Sequence, residues 1–288
     1  MSLVTAVEVP RRPVSLLEPI IGGLRYQRLV EAADQVRRLL AGRTIWNVNS
    51  TATGGGVAEM LQVLVGYVND LDIPIGWLVI TGDAEFFAIT KRVHNQIHGD
   101  LAGGPLGPAA AHHYTRMLTA NAAELLDRIQ PGDVALLHDP QTAGLAEPLA
   151  RAGAHVVWRC HIGVSWENDA TRAGWSFLRP HLGAVEAYAF SRREYVPSWL
   201  ADDKVSIIPP SIDPFSPKNQ DLDAATVQAI LAKLGVLDGA APQVPARFVR
   251  RDGDMDTVAR PAVITGEGRP GPGIRYCCRS PAGTGSRT

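Results

Sequence analysis

Short apolar runs alternate with helix-periodic segments along most of this chain, and that alternation limits the folds open to it. The apolar runs cover residues 44–48, 75–80, 133–137, 155–159, 185–190 and 205–208. The helical patterns that follow them cover residues 57–70, 86–98, 109–129, 142–152, 170–181 and 222–234. Strands alternating with helices build βαβ units, and continuously apolar strands suit a parallel sheet covered on both faces. We therefore predict a Rossmann-like, doubly wound α/β domain over residues 26–238, which begins with a helix at 26–40.

The two ends of the chain depart from this pattern. Residues 1–25 are punctuated by Pro and Gly, and we expect them to be irregular. From residue 239 onward Gly, Pro and Arg are dense and apolar periodicity is weak. Such a segment buries too little apolar surface to offset its ordering entropy, so we expect residues 239–288 to be a largely disordered tail.

One strand–helix junction carries three consecutive glycines, Gly54, Gly55 and Gly56. Glycine adopts positive φ readily and lets a ligand approach the backbone because it has no Cβ. The free N–H groups of the following helix would face this loop, which favours a phosphate or a sugar hydroxyl. A tight turn that needs glycine for its geometry alone is the alternative. The glycines by themselves do not choose between the two.

Polar side chains cluster where the predicted strands end. Asn49 follows the strand at 44–48, Asp139 comes two residues after the strand at 133–137, and His161 comes two residues after the strand at 155–159. Ligands of an open parallel sheet bind beyond the carboxyl ends of its strands. A rim of amide, carboxylate and imidazole groups suits a polyhydroxylated ligand. Asp139 could instead be a turn residue, and His161 a satisfied core histidine.

Further candidate ligand contacts lie in or next to the helix predicted at 86–98 and the helix after it, and each could instead have a purely structural role. Glu85 could contact a ligand or merely stabilise a helix N-terminus, and Lys91 could be a surface cation. His94 and His98 are four residues apart and could reach one metal, but no third ligand is evident, so we predict no metal site. We read His112 and His113 as a solvated helix face.

Composition narrows the classes of partner. A net charge of −1 gives no electrostatic reason to expect nucleic acid or an anionic membrane. No apolar run approaches the ~18 residues of a membrane span, and the N-terminus lacks the order of a secretory signal. Three cysteines do not make a disulfide framework. We therefore expect a cytoplasmic protein that binds neither nucleic acid nor membrane.

Six segments, taken in order, resemble the N-terminal half of trehalose synthases of the glycosyltransferring type. They are WNVNSTATGGGVAEML, GDAEFFAITKRVHNQIHG, LLHDPQTAGL, VVWRCHIGVS, SRREYVPSWL and IIPPSIDPFSPKN. The family comprises retaining enzymes of two Rossmann domains (GT-B) that join a nucleotide-activated glucose to free glucose. Trehalose phosphorylases are close relatives. The resemblance covers roughly residues 20–250, and the combination of motifs is specific although no single motif is.

The resemblance implies roles for individual residues. The Gly54–Gly56 loop resembles the one that approaches the donor's diphosphate and sugar. His161 matches a histidine beside the donor sugar ring, and Asp139 matches a carboxylate suited to hydrogen-bonding the acceptor glucose; these two are the predicted catalytic residues. The resemblance implies less strongly that Asn49, Glu85 and Lys91 contact sugar.

The implied mechanism uses no cofactor. Retention in this class is explained by front-face displacement, in which the leaving diphosphate helps deprotonate the acceptor. That chemistry fits a chain in which no protein nucleophile is evident, and the protein would supply positioning and electrostatic stabilisation. The implied partners are a nucleotide-glucose donor and a glucose acceptor, and the oligomeric state is left open, with a homodimer as one option.

The chain departs from the family where a second Rossmann domain should begin. Bases that could encode residues 276–288 read LLQVSRWDRLKD in another frame, which looks like the family's first C-terminal-domain strand. We expect the end of the chain to be a frameshifted translation and the 288-residue product to have little activity. A trehalose phosphorylase and a non-catalytic sugar-binding or interaction module are the alternative functions.

Overall fold

The computed structural model describes residues 2–101, 103–216, 219, 221–237, 243–250 and 254–263. Its contacts divide the chain into two compact units, Met1–Pro210 and Ser211–Thr288. The larger unit is built on a seven-stranded sheet, and the described part of the smaller unit has one helix and two short strands. The boundary at Pro210 differs from the predicted one at residue 238, because the last sheet strand ends at Ile207.

The sheet of the larger unit is parallel except at one edge. Its strands in chain order are β1 Val4–Ala6, β2 Ile45–Asn49, β3 Ile75–Ile80, β4 Val134–His138, β5 His155–Cys160, β6 Ala187–Phe190 and β7 Val205–Ile207. Their order across the sheet is β1-β3-β2-β4-β5-β6-β7, and only β1 pairs antiparallel. The chain passes from β2 to β3 on one side and then returns to β4 on the other. The topological switch point therefore lies between β2 and β4.

Helices cover both faces of this sheet. They are α1 Glu18–Ile21, α2 Gly23–Leu40, α3 Gly56–Asp70, α4 Ala84–Ile97, α5 Pro108–Leu125, α6 Ala146–Arg151 and α7 Asp169–Leu178. On one face α3 packs Leu61 and Val65 against Trp77, and α2 packs close by. On the other face, residues of α4 to α7 share a larger cluster with strand residues such as Leu137 and Trp158. The predicted doubly wound α/β fold is confirmed.

Two aromatic side chains anchor the larger cluster. Phe86 of α4 and Tyr114 of α5 are fully buried and stack with ring centroids 5.7 Å apart. The Tyr114 hydroxyl donates to the Pro140 carbonyl at 2.6 Å and accepts from the Gly144 N–H at 3.1 Å. These bonds tie α5 to the segment that follows β4. Burial of its hydroxyl raises the pKa of Tyr114 well above the ordinary value.

The predicted helices are present, with ends that shift by local effects. The helix predicted over 109–129 ends at Leu125, and the one predicted over 142–152 begins as a 3₁₀ turn at Ala143–Leu145. The helix near 170 starts one residue early because Asn168 forms a reciprocal capping box with Thr171. After Leu178 it tightens into a 3₁₀ turn, Arg179–His181, which contains Pro180.

The prediction that residues 1–25 are irregular is wrong in part. Val4–Ala6 extend the sheet beside β3, with Val4 opposite Ile80. The Glu124 carboxylate of α5 accepts the backbone N–H groups of Leu3 and Val4, which fixes the strand in place. A three-residue strand that depends on such a distant carboxylate leaves too short a pattern to detect in the sequence.

The smaller unit, considered by itself, holds α8 Ala224–Lys233, capped by Asp223, and an antiparallel pair of strands. The strands are β8 Arg247–Val249 and β9 Met255–Thr257. The expectation of a largely disordered segment from residue 239 is therefore wrong for residues 247–249 and 255–257. The predicted disorder and frameshift of residues 264–288 lie outside the described residues. Among the helices that are described, none is both long and apolar enough to span a membrane.

Candidate functional site

The switch point brings the carboxyl ends of β2 and β4 side by side, with β5 next to β4. Asn49 ends β2, His138 ends β4 and Cys160 ends β5. The two predicted catalytic residues, Asp139 and His161, are the residues that follow β4 and β5. Ligands of open α/β sheets bind beyond the strand ends at such a switch point.

The glycine loop has the backbone geometry that its sequence predicts. Gly54 and Gly55 have φ values of +74° and +86°, and α3 begins at Gly56. All three glycines are exposed, and a Cβ built on any of them would meet no atom within 4 Å. Packing within the protein therefore does not require glycine here. The positive φ values favour glycine at positions 54 and 55. Neither packing nor backbone conformation explains glycine at position 56.

Asn49 supports this loop from inside the sheet. Its Oδ1 accepts from the Trp77 indole N–H at 2.8 Å, and its Nδ2 donates to the Thr51 carbonyl at 2.8 Å. The Asn49 side chain is buried, and both ends of its amide are engaged. This geometry favours a structural role over the direct sugar contact predicted for Asn49.

Asp139 and His161 meet directly. The Asp139 carboxylate Oδ1 accepts the His161 backbone N–H at 2.7 Å. Asp139 has a φ of +61°, a region that non-glycine residues rarely occupy and that Asp tolerates better than most. Its carbonyl accepts the Trp158 indole N–H at 3.1 Å, and its own N–H donates to the Arg159 carbonyl at 2.9 Å. A strained residue held by several bonds is typical of a functional site.

Burial shifts the pKa values of both residues towards their neutral forms. Desolvation raises the pKa of Asp139 to about 7, against the opposing effects of the His161 N–H and the Arg159 guanidinium. Desolvation, aided by Arg159, lowers the pKa of His161 to about 3. At neutral pH His161 is therefore uncharged, and Asp139 lies near the midpoint of its titration. Titrating groups displaced this far mark a functional site more often than a purely structural one.

His138 at the end of β4 contacts His161, although no role of its own was predicted for it. Its Nδ1 lies 3.0 Å from His161 Nε2, and its Nε2 lies 3.1 Å from Asn47 Oδ1. The two imidazole rings stack at 17° with centroids 5.3 Å apart. The available signal was the presence of polar residues within short apolar strands: Asn47 in β2, which also ends in Asn49, and His138 at the end of β4. Only the register of β2 against β4 shows that Asn47 and His138 meet.

Glu85 and Lys91 are both carried by α4. Both are exposed on α4, and Glu85 is in its first turn. The Glu85 carboxylate lies 3.4 Å from Nδ1 of His113, whose Nε2 contacts the Asp83 carboxylate at 2.8 Å. His113 is buried, so the interpretation of His112 and His113 as a solvated face is wrong for His113. The same Asp83 carboxylate caps α4 by accepting the Phe86 N–H.

His94 and His98 lie close together on α4, with ring centroids 4.5 Å apart. His98 Nδ1 contacts the His94 carbonyl, and burial lowers the pKa of His94 to about 4. In the part of the chain that the structure describes, no group of three or more His, Cys, Asp or Glu side chains is placed to hold a metal ion.

A cavity of about 860 Å³ opens beyond the loop that follows His161. Aromatic side chains line much of it, including Trp166, Trp175 and Trp199, and the Arg179 guanidinium lies 5.2 Å from the Trp199 ring. None of the predicted site residues lines this cavity. This cavity and the strand-end cluster therefore lie at different places, and the switch point has the stronger chemical case because Asp139, His138 and His161 contact one another there.

The fold is that of a doubly wound α/β domain, and its polar strand-end residues Asp139 and His161 meet at the edge of the sheet where the strand order switches. Residues 47–197 match the family model described as trehalose synthase, N-terminal domain. The chain belongs to this family. The matched segment begins inside β2 and ends at Pro197, so it contains the glycine loop, Asp139 and His161.

Relatives of known activity agree with this assignment. The chain is 35% identical over 226 residues to a trehalose synthase of Pyrococcus horikoshii, covering 78% of this chain and 52% of that protein. It is 36% identical over 231 residues to a trehalose synthase of Thermococcus litoralis, covering 80% and 54%. A trehalose phosphorylase of Pleurotus sajor-caju is 26% identical over 219 residues, covering 70% and 29%. The chain spans about half the length of the trehalose synthases it matches.

Solved structures are matched more loosely. One is a structure described as trehalose-6-phosphate from E. coli bound with UDP-2-fluoro glucose. It gives a TM-score of 0.48 at 14% identity, covering 68% of this chain and 55% of that one. An alpha,alpha-trehalose-phosphate synthase (UDP-forming) from Burkholderia vietnamiensis gives 0.46 at 14% identity, covering 68% and 56%. Overlaps of this extent add nothing to the family assignment.

Proposed function

We propose that this chain carries the glucose-binding side of a retaining, trehalose-forming glycosyltransferase. Glucose binds beyond β4 and β5, and a nucleotide-glucose donor approaches the glycine loop after β2. The observation that supports this most is the direct bond between Asp139 and the backbone of His161 at the switch point. Membership of the trehalose synthase family supplies the reaction class.

In this proposal Asp139 orients the acceptor. A carboxylate has two oxygens with several lone pairs, so Oδ1 holds the His161 N–H while the remaining capacity accepts sugar hydroxyls. Hydrogen bonds to an ionised carboxylate are stronger than neutral ones and favour the charged form. Sugar binding therefore lowers the pKa of Asp139 from about 7 and fixes it as an acceptor.

His161 contributes orientation rather than charge. Its lowered pKa keeps the ring neutral through the physiological range, so it hydrogen-bonds a hydroxyl without attracting an anion. Arg159, half-buried on β5, supplies positive charge near Asp139, and its own pKa is lowered by burial. Positioned groups of this kind accelerate a transfer by preorganisation, with no protein nucleophile needed.

The glycine loop is the proposed approach for the donor. Its exposed backbone and the N-terminus of α3 present N–H groups to a diphosphate or a sugar hydroxyl. Asn49 holds the loop in place rather than contacting sugar. Sugar contacts by Glu85 and Lys91, both on α4, remain a prediction.

Glucose binding to the purified chain tests the sugar site. We expect Asp139→Asn to weaken glucose binding about tenfold or more, because the amide cannot replace a charge-assisted acceptor. The substitution keeps the fold, since Asn also tolerates positive φ and its Oδ1 accepts the same N–H. Asp203→Asn, which removes an exposed carboxylate in the 3₁₀ turn Asp202–Lys204, is the matched control. Equal affinities in the two variants would contradict the proposal.

Product analysis separates the candidate functions. Trehalose formed from nucleotide-glucose and glucose supports the synthase. Trehalose cleavage or formation that depends on phosphate supports the phosphorylase alternative, which the Pleurotus relative favours. Glucose binding that yields neither product supports a non-catalytic sugar-binding module.

A further inference from the structure

A chain of four polar groups runs along the sheet beneath the proposed sugar site. It begins at the Gly76 carbonyl of β3, passes through Asn47 of β2 and His138 of β4, and ends at His161. Asn47 and His138 are almost fully buried. The neighbouring strands bring them together, since Asn47 pairs with Leu136, two residues before His138.

The chemistry of these groups gives each bond a direction. A carbonyl only accepts, so Asn47 turns its Nδ2 towards Gly76, at 3.3 Å, and its Oδ1 towards His138. Asn47 Oδ1 in turn only accepts, so Nε2 of His138 carries the proton of that 3.1 Å contact. A neutral imidazole has one donor and one acceptor nitrogen. His138 Nδ1 is therefore the acceptor, and Nε2–H of His161 is the donor across 3.0 Å.

The last step fixes His161. With its proton on Nε2, its Nδ1 is a bare lone pair, and Nδ1 makes no hydrogen bond to any residue that the structure describes. The ring is half-buried, and Asp139 holds its backbone N–H. The contacts with His138 and Asn47 on the buried side therefore set both the rotation of the His161 ring and the position of its proton.

We propose that Asn47 and His138 are positioning residues that lock His161 as its Nε2–H tautomer and so present Nδ1 as a fixed acceptor for a hydroxyl of the bound sugar. The inference rests on the proposed function for the identity of the ligand, but not for the tautomer. It makes this end of the site selective for a hydrogen-bond donor. A phosphate or carboxylate placed there would meet a lone pair and be repelled.

The first experiment needs no sugar. Long-range ¹H–¹⁵N spectra of the ¹⁵N-histidine-labelled full chain at neutral pH report which ring nitrogen carries the proton. We expect His138 and His161 both as Nε2–H tautomers, assigned with single histidine substitutions. His138→Leu removes the acceptor, and His161 should then move towards averaged shifts, whereas the exposed control His112→Gln should leave it unchanged. An Nδ1–H tautomer of His161 in the wild type, or an unchanged His161 spectrum in His138→Leu, would refute the proposal that Asn47 and His138 set the tautomer.

The second experiment asks whether the lock matters for binding. His138→Gln offers an amide oxygen to the same His161 Nε2–H, so it should restore the His161 tautomer and keep glucose affinity within about threefold of wild type. His138→Leu should lose about tenfold or more, as for an unmade buried hydrogen bond. Equal losses in the two variants would show a merely structural role. Failure of the wild type to bind glucose would refute the proposed function. The tautomer spectra would still test whether Asn47 and His138 set the His161 tautomer.

Discussion

The backbone N–H of His161 donates to the carboxylate of Asp139 across 2.7 Å, which joins the ends of two neighbouring parallel strands. Asp139 reaches this position only by taking a φ of +61°. The carboxylate and the histidine are thus held by backbone geometry as well as by side-chain packing. Such a pair keeps its spacing in the absence of ligand, which is what positioning of a sugar requires.

Asp139→Asn should change the pH dependence of stability. The raised pKa of Asp139 means that the folded state binds more protons than the unfolded state between about pH 4 and pH 7. The stabilising effect of that protonation is complete below pH 4 and is lost as the pH rises through 7. Asn does not titrate, so the variant should gain of order 1–3 kcal/mol relative to wild type between pH 5 and pH 8. Urea unfolding at the two pH values measures this, and an unchanged difference would refute the raised pKa.

Acid should destabilise the protein through its buried histidines. Burial lowers the pKa values of His138 and His161, the latter to about 3, so the unfolded chain takes up more protons than the folded one below about pH 6.5. Stability is then lost as the pH falls from 6.5 towards 3. His161→Asn should flatten this dependence by of order 1–3 kcal/mol, as judged by unfolding at pH 7 and pH 4.5. A control substitution at an exposed residue that does not titrate, Thr119→Ala, should not alter the slope.

The glycine loop allows a matched pair of substitutions. Gly55→Ala forces a side chain onto a φ of +86° and should cost about 1–2 kcal/mol of unfolding free energy. Gly56→Ala sits at the start of α3 with no atom within 4 Å of its Cβ, so stability should hold or rise by up to about 1 kcal/mol. If the donor approaches this loop, Gly56→Ala should nonetheless weaken nucleotide-glucose binding. Unimpaired binding in that stable variant would place the donor elsewhere.

Asn121 should be important for stability although no ligand role is proposed for it. From α5 its fully buried amide accepts the Thr81 N–H and donates to the carbonyls of Thr81 and Met117. Asn121→Ala leaves these groups without their partner and should cost about 1–3 kcal/mol. Thr119→Ala, on the exposed side of the same helix, should stay within about 0.5 kcal/mol of wild type. Thermal or urea unfolding of both variants provides the comparison, and equal stabilities would contradict this reading of Asn121.

The alternation of strands and helices could be predicted because each element carries its own periodicity. Asp139 and His161 could be predicted as neighbours for a related reason: parallel strands end at one edge of a sheet. Contacts that depend on register were out of reach, such as Asn47 with His138 across the switch point. The same holds for His113, which is buried and contacts Asp83 thirty residues away. The short strands Val4–Ala6, Arg247–Val249 and Met255–Thr257 have too few residues to show a period.

Glucose should bind beyond the ends of β4 and β5. Backbone amide ¹H–¹⁵N spectra of the full chain, titrated with glucose, test it directly. We expect the largest shifts at residues 138, 139, 141, 142 and 160–162, with the His161 amide among them because it bonds to Asp139. Shifts confined to the aromatic cavity lined by Trp166, Trp175 and Trp199 would contradict the account, as would a titration that leaves the His161 amide unmoved.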